Sequence, residues 1–365
     1  MPDQNLQSVL EVLYYGHSPT MAELEYMLAP NKNGSVRQMM QLADEVRSRH
    51  VGDGVVLRGI VEFSNICQST CAYCGLNKFN TKPPRYQMTR EQILEAVNDI
   101  AEAGIKTVVL QSGQNIHMDP FWLARVIEDI KHEFDMAVTL SVGERRTEEY
   151  LLWKQSGADR YLLKIETTNP GLYGLLHPGM SIENRFRCLH DLKNTGYQTG
   201  SGSIVGLKNQ TCADLAKDLL FFQKENFDML GIGPFIPHPE TSLADEPCGD
   251  LELTLRMLSL TRILTKDTHL PATTAVGVAG SNDALGLALA AGANVIMLNF
   301  TPPAYQKLYE IYPGRENSES LSNRIINELE NIAENLGRYI SYSRADSLKY
   351  CNKNMPQKKA LVDEH

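Results

Sequence analysis

The sequence predicts an α/β protein: a complete (β/α)8 TIM-type barrel with an N-terminal helical cap and a C-terminal helix. Eight short β-rich runs alternate with amphipathic helical segments, the pattern of a parallel sheet with crossover helices. Several helical runs end at a glycine just before the next strand, namely Gly104, Gly157, Gly196 and Gly292. A glycine there supplies the left-handed cap that reverses the chain. Eight strands in a chain of 365 residues favour a barrel over its main competitor, a doubly wound open sheet.

Residues 1–54 read as the helical cap. Leu6, Val9, Leu10 and Leu13 form an apolar stripe at helical spacing, Thr20-x-x-Glu23 is a capping box, and a third helix runs from Ser35 to Arg49. Its polar groups do not cluster, so the cap reads as packing rather than chemistry. The barrel is expected over residues 55–314. Its strands are Leu57–Phe63, Thr107–Gln111, Ala137–Val142, Arg160–Glu166, Gln198–Val205, Met229–Phe235, Thr273–Val276 and Val295–Asn299. Helices start near Thr89, Asp119, Arg146, Ser181, Thr211, Leu251 and Asn282. Residues 315–365 hold one amphipathic helix, Leu321 to Leu336, and then a polar tail expected to fray. Unit lengths vary and no motif recurs, which excludes a solenoid.

Composition narrows the function. With 42% hydrophobic residues there is ample material for a core. A net charge of −9 with no basic stripe argues against a nucleic-acid partner. The most apolar stretch, Ala284 to Phe300, is broken by Ala291-Gly292-Ala293-Asn294, so it reads as helix then strand and no membrane span is expected. The start, Met1 to Asn5, has neither a basic n-region nor a following apolar core. Seven cysteines, four of them scattered, do not form a disulfide framework. A reducing, cytoplasmic location is expected.

The chemistry concentrates in Cys67-Gln68-Ser69-Thr70-Cys71-Ala72-Tyr73-Cys74, which follows the first strand. Three thiols within eight residues suit a soft-metal centre. Zinc normally takes four Cys or His ligands, and no second Cys pair follows. A 4Fe–4S cluster fits better, and three ligands for four irons leave one iron open to a substrate. A cluster used only for electron transfer, or a zinc loop, is the plainer alternative. The spacing Cys-x3-Cys-x2-Cys with an aromatic before the last cysteine resembles the radical SAM signature. That resemblance implies S-adenosylmethionine on the open iron and its reductive cleavage to methionine and a 5′-deoxyadenosyl radical.

In a barrel the catalytic groups gather at the C-terminal ends of the strands. Strand two ends in Gln111-Ser112-Gly113-Gln114, where glycine admits close backbone approach and Ser112 and Gly113 are candidates for the amino-acid end of SAM. The tetrapeptide also reads as an ordinary βα turn. Strand three ends in Ser141-Val142-Gly143-Glu144-Arg145, which adds Ser141 to the cofactor candidates. Lys164 and Glu166 alternate with apolar residues, so both point to the inner face, as ligand contacts or as a structural ion pair. Strand five, Gly200-Ser201-Gly202-Ser203, is small-residued, as a cavity lining requires. His238, in the proline-rich end of strand six, reads as ligand, acid–base group or loop-locking hydrogen bonder. Thr273 and Thr274 open strand seven and offer hydroxyls to a small anion or polar substrate, though threonine is also a plain strand former. Cys188 and Cys212 read as core, Cys248 as loop and Cys351 as tail, too far apart in sequence for a second cluster.

Taken together, these strand ends resemble the FeFe-hydrogenase maturase HydE family, in the group that also contains biotin synthase and the methylornithine synthase PylB. The resembling runs include Ile60-Val61-Glu62-Phe63-Ser64-Asn65, Val109-Leu110-Gln111-Ser112-Gly113, Gly231-Ile232-Gly233-Pro234-Phe235-Ile236-Pro237-His238-Pro239, Pro271-Ala272-Thr273-Thr274 and Leu308-Tyr309-x-x-Tyr312-Pro313-Gly314. The resemblance implies cluster ligation by Cys67, Cys71 and Cys74. Glu166, Arg185 and Met229 match SAM-holding positions, and Tyr73 lies near the adenine. Ser112, Thr139, Arg160, Thr273, Thr274 and Tyr309 match positions facing a substrate cavity. It implies radical attack on the sulfur of an iron–cysteine synthon in H-cluster maturation, with a small organometallic or other small-molecule substrate. A reductant such as a ferredoxin or flavodoxin, and other hydrogenase maturases, are the implied partners. The chain departs from the pattern at Lys164, where arginine is expected, at Gln114, where an acid is expected, and at Lys208-Asn209, in place of Pro-Gly. The accessory-cluster cysteines beyond Tyr312 are missing. A HydE-like or PylB-like enzyme on another amino-acid or sulfur substrate, or an iron–sulfur scaffold, are the alternative functions.

Overall fold

Uninterrupted apolar runs such as Val55-Val56-Leu57 and Val108-Val109-Leu110 suit strands buried on both faces, and they lie at the centre of a parallel sheet. The computed structural model describes residues 10, 13–30, 35–279, 283–314 and 323–350. Leu6, Val9, Asn282, Leu321 and Cys351 lie outside the described residues.

The strands are β1 (Gly54–Ser64), β2 (Thr107–Ser112), β3 (Ala137–Ser141), β4 (Arg160–Leu162), β5 (Gln198–Val205), β6 (Met229–Pro234), β7 (Val295–Asn299) and β8 (Tyr339–Ser341). Seven form a parallel path in the order β6-β5-β4-β3-β2-β1-β7, and β8 pairs with β1 off that path. The register runs, for example, Ile60 opposite Val109 and Val109 opposite Thr139.

The crossover helices begin where capping chemistry puts them. Thr89 caps α3 (Arg90–Glu102) in a capping box with Gln92, Asp119 caps α4 (Pro120–Glu133), and Arg146 precedes α5 (Thr147–Gln155). A short helix not foreseen in the sequence, α6 (Pro170–Leu176), is capped by Asn169. Ser181 caps α7 (Ile182–Asn194), Thr211 caps α8 (Cys212–Glu225) and Asp250 caps α9 (Leu251–Thr265). In the N-terminal region, the Thr20–Glu23 capping box opens α1 (Met21–Leu28), and α2 (Ser35–Val51) follows it. Arg256 of α9 ties down α1 by donating to the Met27 carbonyl at 2.9 Å.

Two expectations are corrected. Thr273–Val276 is not a strand but the start of helix α10 (Thr274–Ala279). Tertiary context overrides strand propensity there: Thr273, just before the helix, packs over Gly233, where a Cβ would sit 2.8 Å from the threonine Oγ1. The space between β6 and β7 is instead crossed by residues 269–271, through single parallel bridges from Met229 to His269 and from Pro271 to Val295. Helix α11 (Ala284–Ala290) then precedes β7, and α12 (Pro303–Gln306) follows it.

The segment after Leu336 was expected to fray. Instead α13 (Asn323–Asn335) leads into β8, and residues beyond β8 dock at the N-terminal ends of the strands. The reason is electrostatic. Arg160, fully buried at the first position of β4, needs a countercharge, and Asp346 supplies it at 2.8 Å. The Gln198 amide also donates to Asp346 at 2.7 Å, and Arg344 reaches Asp346 at 2.8 Å. Burial works against the Asp346 charge, but Gln198, Arg160 and Arg344 together hold its pKa below the ordinary value.

Asp346→Ala should therefore destabilise the chain by about 3 kcal/mol, because it leaves a buried arginine unpaired. The wild-type advantage should be present above the ordinary aspartate pKa and disappear as pH falls through the lowered native value. Denaturation midpoints of the two proteins at neutral and acid pH check this. A loss within about 0.5 kcal/mol, typical of surface changes, would refute it.

Candidate active site

The three cysteines follow β1 on a stretch, Asn65 to Asn80, with no helix or strand of its own. Its carbonyls are gathered by one side chain. Arg85 donates from Nη1 to Asn65 O at 2.7 Å and Leu76 O at 3.0 Å, and from Nη2 to Asn77 O at 2.9 Å and Asn80 O at 2.7 Å. Asn65, itself buried, donates to the carbonyls of Pro84 and Leu308. Gly113 sits against this loop: a Cβ there would lie 2.5 Å from Ile66 O and 2.7 Å from the Cys67 Cβ. The need for glycine at 113 thus arises first from the cysteine loop.

The loop directs Cys67, Cys71 and Cys74 into a cavity of about 380 Å3 at the C-terminal ends of the strands. Burial and the neighbouring Cys67 push Cys71 up to about 12, and burial and Cys71 push Cys74 well above the ordinary thiol value. Three soft donors on one wall fit a cluster. Among the described residues no three His, Cys, Asp or Glu side chains converge on a single ion, as a zinc site would require.

Tyr73, Ser112, Gly113, Ser141, Lys164, Glu166 and Arg185 line the same cavity, as do Thr273, Thr274 and Tyr309. Lys164 and Glu166 do share one face. Their ion pair spans 2.8 Å but lies off the hydrogen-bond line, so Glu166 Oε2 has no hydrogen-bond partner. Tyr73 OH donates to the other oxygen at 3.3 Å. Strand β4 ends at Leu162, earlier than expected, but the extended chain continues to Glu166, which bridges to Ser203. Glu166 has φ +64, a left-handed conformation that turns the chain off the sheet. Asp218 of α8 holds this turn, accepting from Thr168 N at 2.7 Å and Thr168 Oγ1 at 2.6 Å. Arg185 is placed from α7 by Glu144 at 2.6 Å and by the Lys164 carbonyl. Thr273 Oγ1 donates to Ile232 O, and Thr274 meets the Tyr312 hydroxyl.

Three expected site residues are elsewhere. Met229, Arg160 and Thr139 do not line the cavity. Met229 and Arg160 are the first residues of their strands, at the end opposite the mouth. Met229 Sδ accepts from Arg58 Nη1 at 3.0 Å, and Arg160 is taken up by Thr107, Gln198 and Asp346. Thr139 faces Arg160 across the sheet and is buried, with no partner for its hydroxyl. His238 is the loop lock of its three readings. It accepts from Glu240 N at 3.0 Å and donates to Glu310 at 3.1 Å, next to Gly75. The cavity is also lined by the polar side chains of His177 and Asn299, neither of which was foreseen as a site residue. His177 directly follows the unforeseen helix α6 as its C-terminal cap, and nothing in its local sequence marks it.

Comparison with known proteins agrees with this geometry. The model of the Radical SAM superfamily matches residues 61–222. The [FeFe] hydrogenase maturase subunit HydE of Thermotoga maritima is 50% identical over 301 residues, 81% of this chain and 84% of its own. Among solved structures, methylornithine synthase (PylB) superposes with a TM-score of 0.78 at 22% identity, over 93% of this chain and 98% of its own. The hydrogenase maturase HydG superposes with a TM-score of 0.78 at 17% identity, over 93% of this chain and 76% of its own. The fold is thus the α/β radical SAM fold.

Two measurements test the site's framework. Arg85→Lys cannot span four carbonyls and should lose about 2 kcal/mol together with iron bound per chain after reconstitution; unchanged midpoint and iron content would contradict the clamp. Burial pushes Asp218 up to about 7, so the native state holds a proton that the unfolded chain releases near pH 4. Wild-type stability should fall as pH rises from about 4 to about 7. Asp218→Asn keeps an acceptor for Thr168 and should be flat over that window. Parallel pH profiles would disprove the assignment.

Proposed function

The chain belongs to the radical SAM superfamily, within the group that holds HydE, and on that premise we propose that it is a HydE-like enzyme of [FeFe]-hydrogenase maturation. Its substrate would be the sulfur of a small iron–cysteine compound. The observation that carries the reading is that three thiols share one cavity with an ion pair and a buried arginine. The 4Fe–4S cluster, when bound by Cys67, Cys71 and Cys74, supplies the electron that cleaves SAM to methionine and a 5′-deoxyadenosyl radical.

The residues divide the remaining work. Glu166 and Arg185 offer one charge of each sign, matching the zwitterionic amino-acid end of SAM, with Ser141, Ser112 and Gly113 beside them and Tyr73 at the adenosyl side. Thr273, Thr274, Tyr309 and Lys164 bring hydroxyls and a cation to the other wall, which suits a small anionic or polar substrate.

The same reading takes the sheet as a complete barrel, with residues 269–271 filling the place of an eighth strand; the bridges at His269 and Pro271 support it. It assigns a ferredoxin- or flavodoxin-type reductant and other hydrogenase maturases as partners. It assigns a reducing cytoplasm, supported by free thiols at all six described cysteines. No described helix is long and apolar enough to cross a membrane.

The test is anaerobic reconstitution with iron and sulfide, then incubation with SAM and dithionite. Wild-type protein should release 5′-deoxyadenosine, and the triple variant Cys67→Ser, Cys71→Ser, Cys74→Ser should release none. Product from the triple variant would overturn the assignment. An adenosylated sulfur product from an iron–cysteine synthon or a thiazolidine supports the HydE-like substrate. Turnover only with an amino acid would replace it by a PylB-like one, and a cluster without SAM cleavage by a scaffold.

A further inference from the structure

We propose that His177 is a positioning residue for the cluster, donating an Nδ1–H hydrogen bond to the Cys71 sulfur and so setting the potential at which the cluster is reduced. This rests on the cluster assignment above. The Nδ1 atom stands 3.3 Å from Cys71 Sγ, within reach of an N–H···S bond. A metal-bound cysteine is a thiolate and can only accept, so the ring nitrogen must be the donor.

Four further observations show a built contact. Residues 176–178 grip residues 70–72 one for one. Ala72 N donates to Leu176 O at 2.8 Å, Thr70 Oγ1 donates to Pro178 O, and His177 meets Cys71 between them. The His177 backbone is itself fixed at the end of α6, where its N–H donates to Tyr173 O and its carbonyl accepts from Met180 N. The ring is then held by two aromatics, Tyr173 with centroids 4.5 Å apart and Tyr73 edge-on at 5.5 Å. The imidazole is 1% exposed and its Nε2 has no partner. A buried nitrogen is costly unless it is used.

Hydrogen bonds to cluster sulfurs stabilise the more negative, reduced state and raise the potential. His177 therefore makes the cluster easier to reduce, while a residue of equal shape without an N–H leaves it harder to reduce.

The experiment is a potentiometric titration followed by electron paramagnetic resonance on reconstituted wild type, His177→Phe and His177→Asn. Iron per chain is measured for each. His177→Phe should shift the midpoint to more negative potential at equal iron content. His177→Asn can place an amide N–H where Nδ1 was and should return most of the shift. If His177→Phe loads poorly, His177→Gln replaces it; its longer amide misses the Nδ1 position and should shift the midpoint as well. An unchanged midpoint in the fully loaded Phe or Gln variant overturns the inference, and so does an Asn variant shifted as far as Phe, which would make the role packing alone. Wild type that binds no cluster would instead overturn the functional reading on which the inference rests.

Discussion

From Asn65 to Asn80 the chain has neither helix nor strand to take up its carbonyls, and each buried carbonyl left unpaired costs on the order of 1–3 kcal/mol. The Arg85 fork absorbs four of them at once. A planar guanidinium can do this because its donors point in fixed, diverging directions. The loop can then stay irregular, which is what directs three side chains only a few residues apart onto one wall. Everything else at the mouth is arranged around that irregular loop: Gly113 admits it, His238 locks its far end and residues 176–178 hold its middle.

The two ends of the sheet solve opposite electrostatic problems. At the mouth, opposite charges come in near pairs, Lys164 with Glu166 and Arg185 with Glu144. The cavity therefore carries charge of both signs without a large net desolvation cost. At the other end Arg58 and Arg160 are both buried and repel each other, and burial with that repulsion lowers the Arg58 pKa well below its ordinary value. The carboxylate that offsets them comes from the C-terminal segment, at Asp346. A stretch that looks like a solvated tail is thus an interior ion-pair partner, and it closes the end from which no chemistry is expected.

This explains what the sequence disclosed and what it hid. Local rules were readable. The capping box at Thr20, the helix start at Thr89, the strand at Gln198–Val205 and the shared face of Lys164 and Glu166 all follow from neighbours in the chain. The cysteine triplet was readable for the same reason, since its ligands lie within eight residues. Depth within the sheet was not. Met229 and Arg160 carry the right chemistry for a site, but they begin their strands, and register decides which end a residue occupies. Thr274–Val276 has strand composition and helical structure, and the Thr273 hydroxyl before it packs over Gly233 and donates to Ile232 O. Asp346 and His177 act on partners far away in sequence, Arg160 and Cys71, so no window around either could reveal its role.

Glu166 joins these strands of reasoning. A glutamate at φ +64 is strained, a cost of order 1–3 kcal/mol that persists only where surroundings over-determine it. The surroundings here do. Its N–H donates to Gly202 O and its carbonyl accepts from Ile204 N, both at 3.0 Å, and Asp218 fixes the next turn through Thr168. Strain of this kind has no benefit to folding, since an extended residue would continue β4 without it. What it gains is position: the carboxylate stands with one oxygen against the Lys164 ammonium and the other on the Tyr73 hydroxyl, in the cavity the three cysteines share. The strained turn thus fixes a charged carboxylate, ion-paired with Lys164 and hydrogen-bonded by Tyr73, among the residues that line the cysteine cavity, a place that strand continuation alone would not have given it.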